Sequence, residues 1–358
     1  MSLIPGVGGI TGKKLISYCG GVEGVLREKQ QNLLKIPGVG LQLARAITSH
    51  QLAEKAEKEI AFIEKHNIRP LFFLDKDYPA RLKHCEDGPV LLFVKGNAEL
   101  NAEKVVGVVG TRSVTEYGRE KCEEVVRGLR THGALVVSGL AYGVDACAHK
   151  AALDHSLLTA AVLGHGLDRI YPPLHNKLAR RIIDQGALVT DFLTGTRPDR
   201  ENFPRRNRII AGLCDAVVIV EAASSGGALI TANIANSYNR DVFAIPGRTS
   251  DPFSAGCNKL IKSNKAQLME TIADLEYIMG WDRESNRKNL QKPLFAELNA
   301  DEEKMVGFLR NHPEAGIDFI VANAGYPTSK VNELLLNLEF KGVVKPLPGK
   351  LFKLASGF

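Results

Sequence analysis

Arginines, glycines and small hydroxyl residues recur together along the middle of the chain. The segment FPRRNRIIAGL, residues 203–213, places three arginines directly ahead of an apolar run. Guanidinium groups bind phosphate oxygens in pairs, and the backbone amides of glycine-rich turns bind them as well. This combination of residue types predicts a site for a ligand that carries phosphates.

Five further segments of this kind follow apolar runs that resemble strands. They read GTRS at 110–113, SGLAYGVD at 138–145, LGHGLDRIYPP at 163–173, SSGGALITA at 224–232 and IPGR at 245–248. In open α/β sheets, ligands bind at the carboxyl ends of the strands. Neither the dinucleotide nor the P-loop glycine spacing is present, so no cofactor is predicted. An extended polyanion fits these turns better than a bound nucleotide.

The three arginines of the first segment, Arg205, Arg206 and Arg208, begin a predicted helix. They can line a cleft while the IIAGL segment packs against the sheet, and Phe203 can offer a ring on which a base stacks, worth about 1–3 kcal/mol per base. The alternative is structural. In that interpretation one of these arginines pairs with Asp191 or Glu201, and Phe203 is part of the core.

No catalytic or metal-binding residues are predicted. His149 lies four residues after Asp145 on one helical face, which favours helix capping or an intrahelical hydrogen bond over general-base catalysis. The spacing of His165, Asp168 and His175 fits no standard metal site.

Six apolar segments supply the strands that would carry these turns. They read KVVGVVG, ALVVSG, TAAVLG, ALVTDF, AVVIVEA and VFAIPG, in that order between residues 104 and 247. Uninterrupted runs of Val, Ile and Ala are typical of strands buried on both faces, and here they alternate with helical segments. The predicted fold class is α/β, with a doubly wound parallel Rossmann-like sheet.

A repeat occupies the N-terminal part of the chain. IPGVGGITGKKLI, residues 4–16, returns as IPGVGLQLARAI, residues 36–47. In both copies a Pro-Gly-x-Gly turn precedes a helical pattern, which predicts a helix-hairpin-helix (SAM-like) module that holds a phosphate or serves only in packing. Because the first copy begins three residues into the chain, we expect its preceding helix to have been trimmed or to lie upstream.

The C-terminal part differs in pattern from the rest. A polar segment, WDRESNRKNLQKP, is typical of a linker, and it precedes two short helical patterns, a longer one and a hairpin-like segment, GVVKPLPGKLFKL. These elements predict a winged helix. We therefore divide the chain into a helix-hairpin-helix module at 1–66, an extended Rossmann-like domain at 67–280 that carries the predicted polyanion site, a linker at 281–297 and a winged-helix domain at 298–358.

Composition restricts the class of protein. The chain has 358 residues and a formal net charge of +6, with 44% hydrophobic and 24% charged residues. These values are typical of a globular protein and are compatible with an anionic partner. The six cysteines include no C-x-x-C pair, which indicates reduced thiols and a cytoplasmic location. No apolar run is long enough to span a bilayer, so no membrane association is expected.

Together the segments resemble the DNA-processing protein A family, also called DprA or Smf. VGTR, SGLAYGVDACAH, LGHGLDRIYPP, FPRRNRIIAGL, GGALITA and IPG occur in the order and approximate spacing of that family, and the resemblance is close over residues 77–275. It implies a cytosolic homodimer, built through the sheet domain, that binds single-stranded DNA without sequence preference. It also implies that the protein protects incoming DNA, helps to load RecA recombinase during natural transformation and has no enzymatic activity. The residues implied to bind DNA are Arg112, Ser138, Gly139, Phe203, Arg205, Arg206, Asn207, Arg208, Gly226, Gly227 and Thr231.

Two other classes of protein are alternatives. The sheet also resembles that of cytokinin-activating phosphoribohydrolases of the lysine-decarboxylase-like group, which carry a catalytic glutamate in a PGGxGTxxE loop. The corresponding SSGGALITA segment contains no acid. The second alternative is a transcription regulator that reads duplex DNA through the winged helix. Residues 300–358 contain seven Lys and Arg and seven Asp and Glu. A net charge of zero argues against duplex binding, because domains that bind duplex DNA are usually basic.

Overall fold

A computed structural model describes residues 1–49, 51–281 and 298–355. The chain forms two compact units, the first made of residues 1–238 and 242–275 and the second of residues 239–241 and 276 onward. Apart from Trp281, the predicted linker at 281–297 lies outside the described residues.

The first unit begins with five helices. They are α1 (Gly9–Cys19), α2 (Val22–Arg27), α3 (Gln30–Leu33), α4 (Leu41–Ile47) and α5 (Gln51–Lys65). The two copies of the repeat adopt the same turn, since in each the valine amide donates to the isoleucine carbonyl three residues earlier. Gly6 and Gly38 have φ values of +84° and +88°, which favour glycine. The predicted order of a turn followed by a helix is confirmed in both copies.

A nine-stranded sheet lies at the centre of the described part of the first unit, in the order β1-β2-β6-β5-β4-β3-β7-β8-β9. Its strands are β1 (Arg69–Phe72), β2 (Leu91–Gly96), β3 (Val105–Val109), β4 (Leu135–Ser138), β5 (Thr159–Val162), β6 (Ala187–Thr190), β7 (Ala216–Ile219), β8 (Asp241–Ala244) and β9 (Gln267–Leu268). All six strands predicted from the apolar runs are present. Every residue of β3 to β7 is buried, as expected for strands covered on both faces.

The sheet is mostly parallel and becomes antiparallel at one edge. β3 pairs in parallel with β4 and β7, and β4, β5 and β6 continue the parallel order. β2 is antiparallel to both β1 and β6. The connection from β1 to β2 contains one four-residue helix, α6 (Ala80–Lys83), instead of a full crossover helix.

Longer helices connect the parallel strands and cover the sheet. They are α7 (Glu116–Leu129), α8 (Val144–Asp154), α9 (Asn176–Gln185), α10 (Asn202–Leu213), α11 (Gly227–Ser237) and α12 (Ala255–Lys262). A further helix, α13 (Ile272–Met279), follows β9. The core includes Leu82, Val137, Val162, Ile209 and Ile219, and each large apolar side chain stabilises the fold by about 1.5–3 kcal/mol on burial. Within the described residues, no helix has the length and hydropathy that crossing a bilayer would require.

The described residues 298–355 of the second unit form three helices and a small antiparallel sheet. Its elements are α14 (Ala300–Asn311), β10 (Ala315–Gly316), α15 (Ile317–Asn323), α16 (Thr328–Phe340), β11 (Val344–Leu347) and β12 (Leu351–Leu354). β12 lies between β10 and β11 and is antiparallel to both. A capping box joins Asn299 and Glu302 at the start of α14. Three helices followed by a hairpin confirm the predicted winged helix.

Candidate nucleic-acid interface

A cleft of about 990 Å³ opens at the carboxyl ends of the central strands. Its lining includes the turn after β3 at Thr111 and Arg112, residues Phe203, Arg206 and Asn207 of α10, and the glycine turn at Gly226 and Gly227 before α11. This is the place where open α/β sheets bind their ligands. We call this space the cleft.

The cleft brings together seven of the predicted DNA-binding residues and leaves four outside its lining. Those inside are Arg112, Phe203, Arg206, Asn207, Gly226, Gly227 and Thr231. Those outside are Ser138, Gly139, Arg205 and Arg208. The two groups differ in what their side chains contact.

An aromatic ring and an exposed cation lie side by side in the cleft. The guanidinium carbon of the exposed Arg112 is 5.3 Å from the ring centroid of the half-buried Phe203. The ring of Tyr171, 41% exposed, has its centroid 6.0 Å from that of Phe203. A ring beside a guanidinium suits a nucleotide, because the base can stack while the phosphate pairs with the cation.

Arg206 forms part of the floor of the cleft and is a buried cation. It is 4% exposed, and Nη1 donates to the carbonyl oxygen of Val162. Burial lowers the pKa of Arg206 to about 10, and the nearby Asp145 carboxylate opposes this shift. Burial likewise raises the pKa of Asp145, and the charge of Arg206 opposes it. Arg206 therefore stays cationic at neutral pH and places a buried cation beside Asp145 in the floor of the cleft.

Gly139 and Ser138 lie behind this floor. A Cβ atom at Gly139 would overlap the guanidinium of Arg206, so this position must be glycine for Arg206 to pack there. Ser138 is fully buried, and its Oγ donates to the carbonyl oxygen of Val108 at 2.7 Å. Both residues support the cleft from behind.

Hydrogen bonds hold the glycine turn in place at the opposite wall. Nδ2 of Asn207 donates to the carbonyl of Gly227 at 3.3 Å, and Oγ1 of Thr231 donates to the same oxygen at 3.1 Å. Gly226 and Gly227 are exposed. Their amides stand at the start of α11, where the helix dipole and unpaired N–H groups favour an anion.

Arg205 and Arg208 face a different space, a cavity of about 270 Å³ that also contains Asp191. We call it the Asp191 cavity. Nη2 of Arg208 donates to the Asp191 carboxylate and Nη1 to the carbonyl of Asp87. Arg205 lies over the ring of Phe192, with 5.4 Å between the guanidinium carbon and the centroid. The structural alternative, in which one arginine pairs with Asp191, is confirmed for Arg208.

The structure also reveals cleft residues that the sequence interpretation did not select. Arg200 and Tyr171 line the cleft and are exposed, and Asp145 lines its floor. Arg200 lies three residues before Phe203 in the same connection, so its charge and position were available as a signal. Tyr171 could not be selected in this way, because nothing in RIYPP places its ring beside Phe203.

The prediction of helix capping or an intrahelical hydrogen bond for His149 and Asp145 is wrong, since the start of α8 has no side-chain cap. Nδ1 of His149 lies 2.7 Å from Oγ1 of Thr159 on β5, and Asp145 accepts from the amide of Ala141 at 3.3 Å. The neighbouring strand offers a closer partner than the next turn of the helix. Burial, assisted by the charge of Arg206, lowers the pKa of His149 to about 3. The ring is neutral at physiological pH.

The acidic groups near the cleft are few. Among the described residues, Asp145 is the one carboxylate that lines it, whereas Arg112, Arg200 and Arg206 are three cations. The described part of the chain contains no group of three or more His, Cys, Asp or Glu side chains placed to hold a metal ion. The cleft thus presents guanidinium groups, glycine amides and aromatic rings, groups that suit phosphates and bases.

Comparisons with known proteins agree on one family. Residues 69–279 match the family model of DNA recombination-mediator protein A, and residues 291–350 match the DprA winged helix domain. Protein Smf of Synechocystis is 31% identical over 98% of this chain and 96% of its own length. The crystal structure of DNA processing protein A from Streptococcus pneumoniae has a TM-score of 0.58 at 34% identity, covering 75% of this chain and 97% of that one.

A second solved structure concerns the single-stranded DNA binding mode of DNA processing protein A from Helicobacter pylori. It has a TM-score of 0.55 at 28% identity, and the match covers 60% of this chain and 96% of that one.

Proposed function

Because this chain belongs to the DNA recombination-mediator protein A family, also called DprA or Smf, we propose that it binds single-stranded DNA without sequence preference. The observation that carries the proposal is the arrangement of the exposed Arg112, the ring of Phe203 and the glycine turn at Gly226 and Gly227 in one cleft. Guanidinium and amide groups bind phosphate, and the ring stacks on any base, so none of these contacts depends on sequence.

The cleft suits a single strand better than a duplex. Stacking on Phe203 requires a base whose face is free, and a paired base in a duplex is already stacked on its neighbours. The second unit offers no excess of positive charge, since residues from 300 onward have a formal net charge of zero. Single-strand binding is therefore expected to reside in the first unit.

The finer parts of the proposal rest on family membership. They are protection of incoming DNA, loading of RecA recombinase during natural transformation, a homodimer built through the sheet domain and a cytoplasmic location. RecA loading is tested by measuring RecA filament formation on a strand coated with single-strand binding protein. Addition of this chain should shorten the lag, and an unchanged lag would contradict this part of the proposal.

We also propose that the protein is not an enzyme. Hydrolysis of a phosphodiester or a nucleotide needs a metal held by carboxylates or a positioned acid and base. Asp145 is buried beside Arg206, and the SSGGALITA segment lacks the glutamate of the phosphoribohydrolases. Labelled single strands and nucleoside monophosphates should survive incubation with magnesium or manganese. Turnover that disappears in Asp145→Asn would favour the enzyme.

The test of DNA binding compares two phenylalanines. Phe203→Leu should weaken single-strand binding about tenfold, because one stacked base is lost, worth about 1–3 kcal/mol. Phe340→Leu is the control, since Phe340 is 81% exposed and belongs to the second unit. Affinities are measured by fluorescence anisotropy with strands of different base composition and with duplex. Equal affinity of the two variants, or a preference for duplex, would contradict the proposal.

A further inference from the structure

A second cavity, of about 500 Å³, adjoins the cleft and shares Arg112 with it. Its lining comes from the turn after β3, from α7, from the loop between β4 and α8, from α8 itself and from the turn before α9. It includes Arg119, Tyr142, Lys150 and His175. Among the described residues, no carboxylate lines it. We call it the Arg119 cavity.

The cations of the Arg119 cavity are available to a ligand. Arg119 and Lys150 are exposed, and neither takes part in the ion pairs found in the described part of the chain. Both lie near Cys147: burial raises the pKa of that thiol, and the charges of Arg119 and Lys150 oppose the increase. Two unpaired cations from different helices thus converge on one space.

An aromatic pair forms another wall of the same cavity. Tyr142 is 44% exposed, and its ring packs edge-on against the imidazole of His175 with centroids 5.2 Å apart and planes at 67°. His175 is itself buried, and its Nδ1 lies 2.9 Å from the carbonyl oxygen of Leu140. The imidazole therefore holds the tyrosine ring in a fixed orientation while part of that ring remains open to solvent.

Cations interleaved with an open aromatic ring are the features by which proteins bind single strands. We propose that the Arg119 cavity binds a second segment of the DNA strand that occupies the cleft, with phosphates at Arg119 and Lys150, a base on Tyr142 and Arg112 at the junction. This inference rests on the proposed function and extends it. The shared Arg112 favours one continuous strand over an unrelated anionic partner, because a ligand at either space meets the same guanidinium.

Strand length separates this inference from the proposed function. A strand of about 4 nucleotides is near the lower limit of known single-strand sites, and one of about 16 is near the upper limit. Oligothymidylates of these two lengths are titrated into the full chain and into Arg119→Glu/Lys150→Glu. The matched control is Arg127→Glu/Arg180→Glu, which reverses two exposed arginines that line neither space. Circular dichroism verifies that each variant is folded.

The inference predicts that the short strand binds the Arg119→Glu/Lys150→Glu variant as well as it binds the control. The long strand should bind that variant at least tenfold more weakly than the control, and the salt dependence of log K should lose about 1.4 in slope, since each phosphate contact on a single strand contributes about 0.7. Tyr142→Leu should weaken the long strand alone, without a change in slope.

Two results would overturn the inference. The first is equal affinity of the variant and the control for the long strand; if the variant then also loses binding of a polyglutamate peptide, the cavity is a site for an acidic protein. The second is an equal loss for both lengths, which would place these residues in the cleft. If the unmodified chain bound neither strand, the proposed function would fail and the inference with it.

Discussion

Helix α10 contributes arginines to two spaces that differ in almost every physical respect. In the cleft, Arg206 is a buried floor cation, and the exposed Arg112 and Arg200 stand nearby without a carboxylate partner in the described part of the chain. In the Asp191 cavity, Arg208 is bound to a carboxylate and to a backbone carbonyl. Arginines that are close in the sequence therefore lie in different surroundings, one in the floor of the cleft and one in an ion pair.

Helix geometry explains this separation. Each residue of an α-helix turns the side-chain direction by about 100°, so positions three apart lie on one face and adjacent positions diverge. Arg205 and Arg208 are three apart and share the Asp191 cavity, while Arg206 points to the cleft. A run of arginines at the start of a helix should be divided by face before it is assigned to one ligand.

The largest expected effect is the loss of stability on substitution of Arg208. Arg208→Ala should lower the free energy of unfolding by about 3–5 kcal/mol, because it leaves the Asp191 carboxylate, whose side chain is only 13% exposed, without the guanidinium that binds it. The single-strand affinity of the folded fraction should stay within about twofold of the unmodified chain. Urea denaturation and anisotropy titrations measure the two quantities.

Arg205→Ala is the matched control for that experiment, since Arg205 is exposed and lines the same cavity. It should change stability by less than about 0.5 kcal/mol, as is usual for surface substitutions. A large loss of DNA affinity in the folded Arg208→Ala protein would show that the Asp191 cavity is part of the interface.

The strands of the sheet can be predicted from the sequence, whereas the burial and the contacts of individual side chains largely cannot. The uninterrupted apolar runs predict β3 to β8, because a strand that is buried on both faces has a continuous apolar sequence instead of an alternating one. The turns at Arg112 and Gly226 are also predicted, since loops after parallel strands meet at one edge. The burial of Ser138 and the ion pair of Arg208 depend on tertiary packing. No local pattern records either contact.

The next effect concerns a group behind the cleft floor. His149 has a folded pKa of about 3, below its ordinary value of 6.5, so the neutral ring must gain a proton when the chain unfolds in mild acid. Stability is present above about pH 6.5 and is lost as the pH falls. At about pH 5 the loss from this group is about 2 kcal/mol.

His149→Leu should remove that part of the pH dependence. Denaturant unfolding of both proteins at pH 7 and pH 5 measures it, and the two profiles differ only if the histidine is neutral when folded. If the free energy of unfolding fell equally in both proteins between pH 7 and pH 5, His149 would be able to gain a proton in the native protein, and the region behind the cleft floor would be less tightly packed than described.

The smallest effect is expected from the second unit. Removal of residues from Ser285 onward should change single-strand affinity by less than tenfold, about 1.4 kcal/mol, because the residues from 300 onward carry no net charge and segment 285–299, removed with them, carries a formal charge of only +2. If the truncated, folded protein lost more affinity than this, the winged helix would have to be a primary binding site for the single strand, in addition to the cleft.

The most direct test of the cleft as the DNA-binding site is the salt dependence of single-strand affinity. Arg112→Ala/Arg200→Ala removes two exposed cations of the cleft, and Arg205→Ala removes one from the Asp191 cavity. Each single-strand phosphate contact contributes about 0.7 to the slope of log K against log salt. We predict that the double variant loses about 1.4 in slope, with equal effect on all base compositions, and that Arg205→Ala keeps the slope of the unmodified chain. An unchanged slope in the double variant, or an equal loss per cation in Arg205→Ala, would contradict the account.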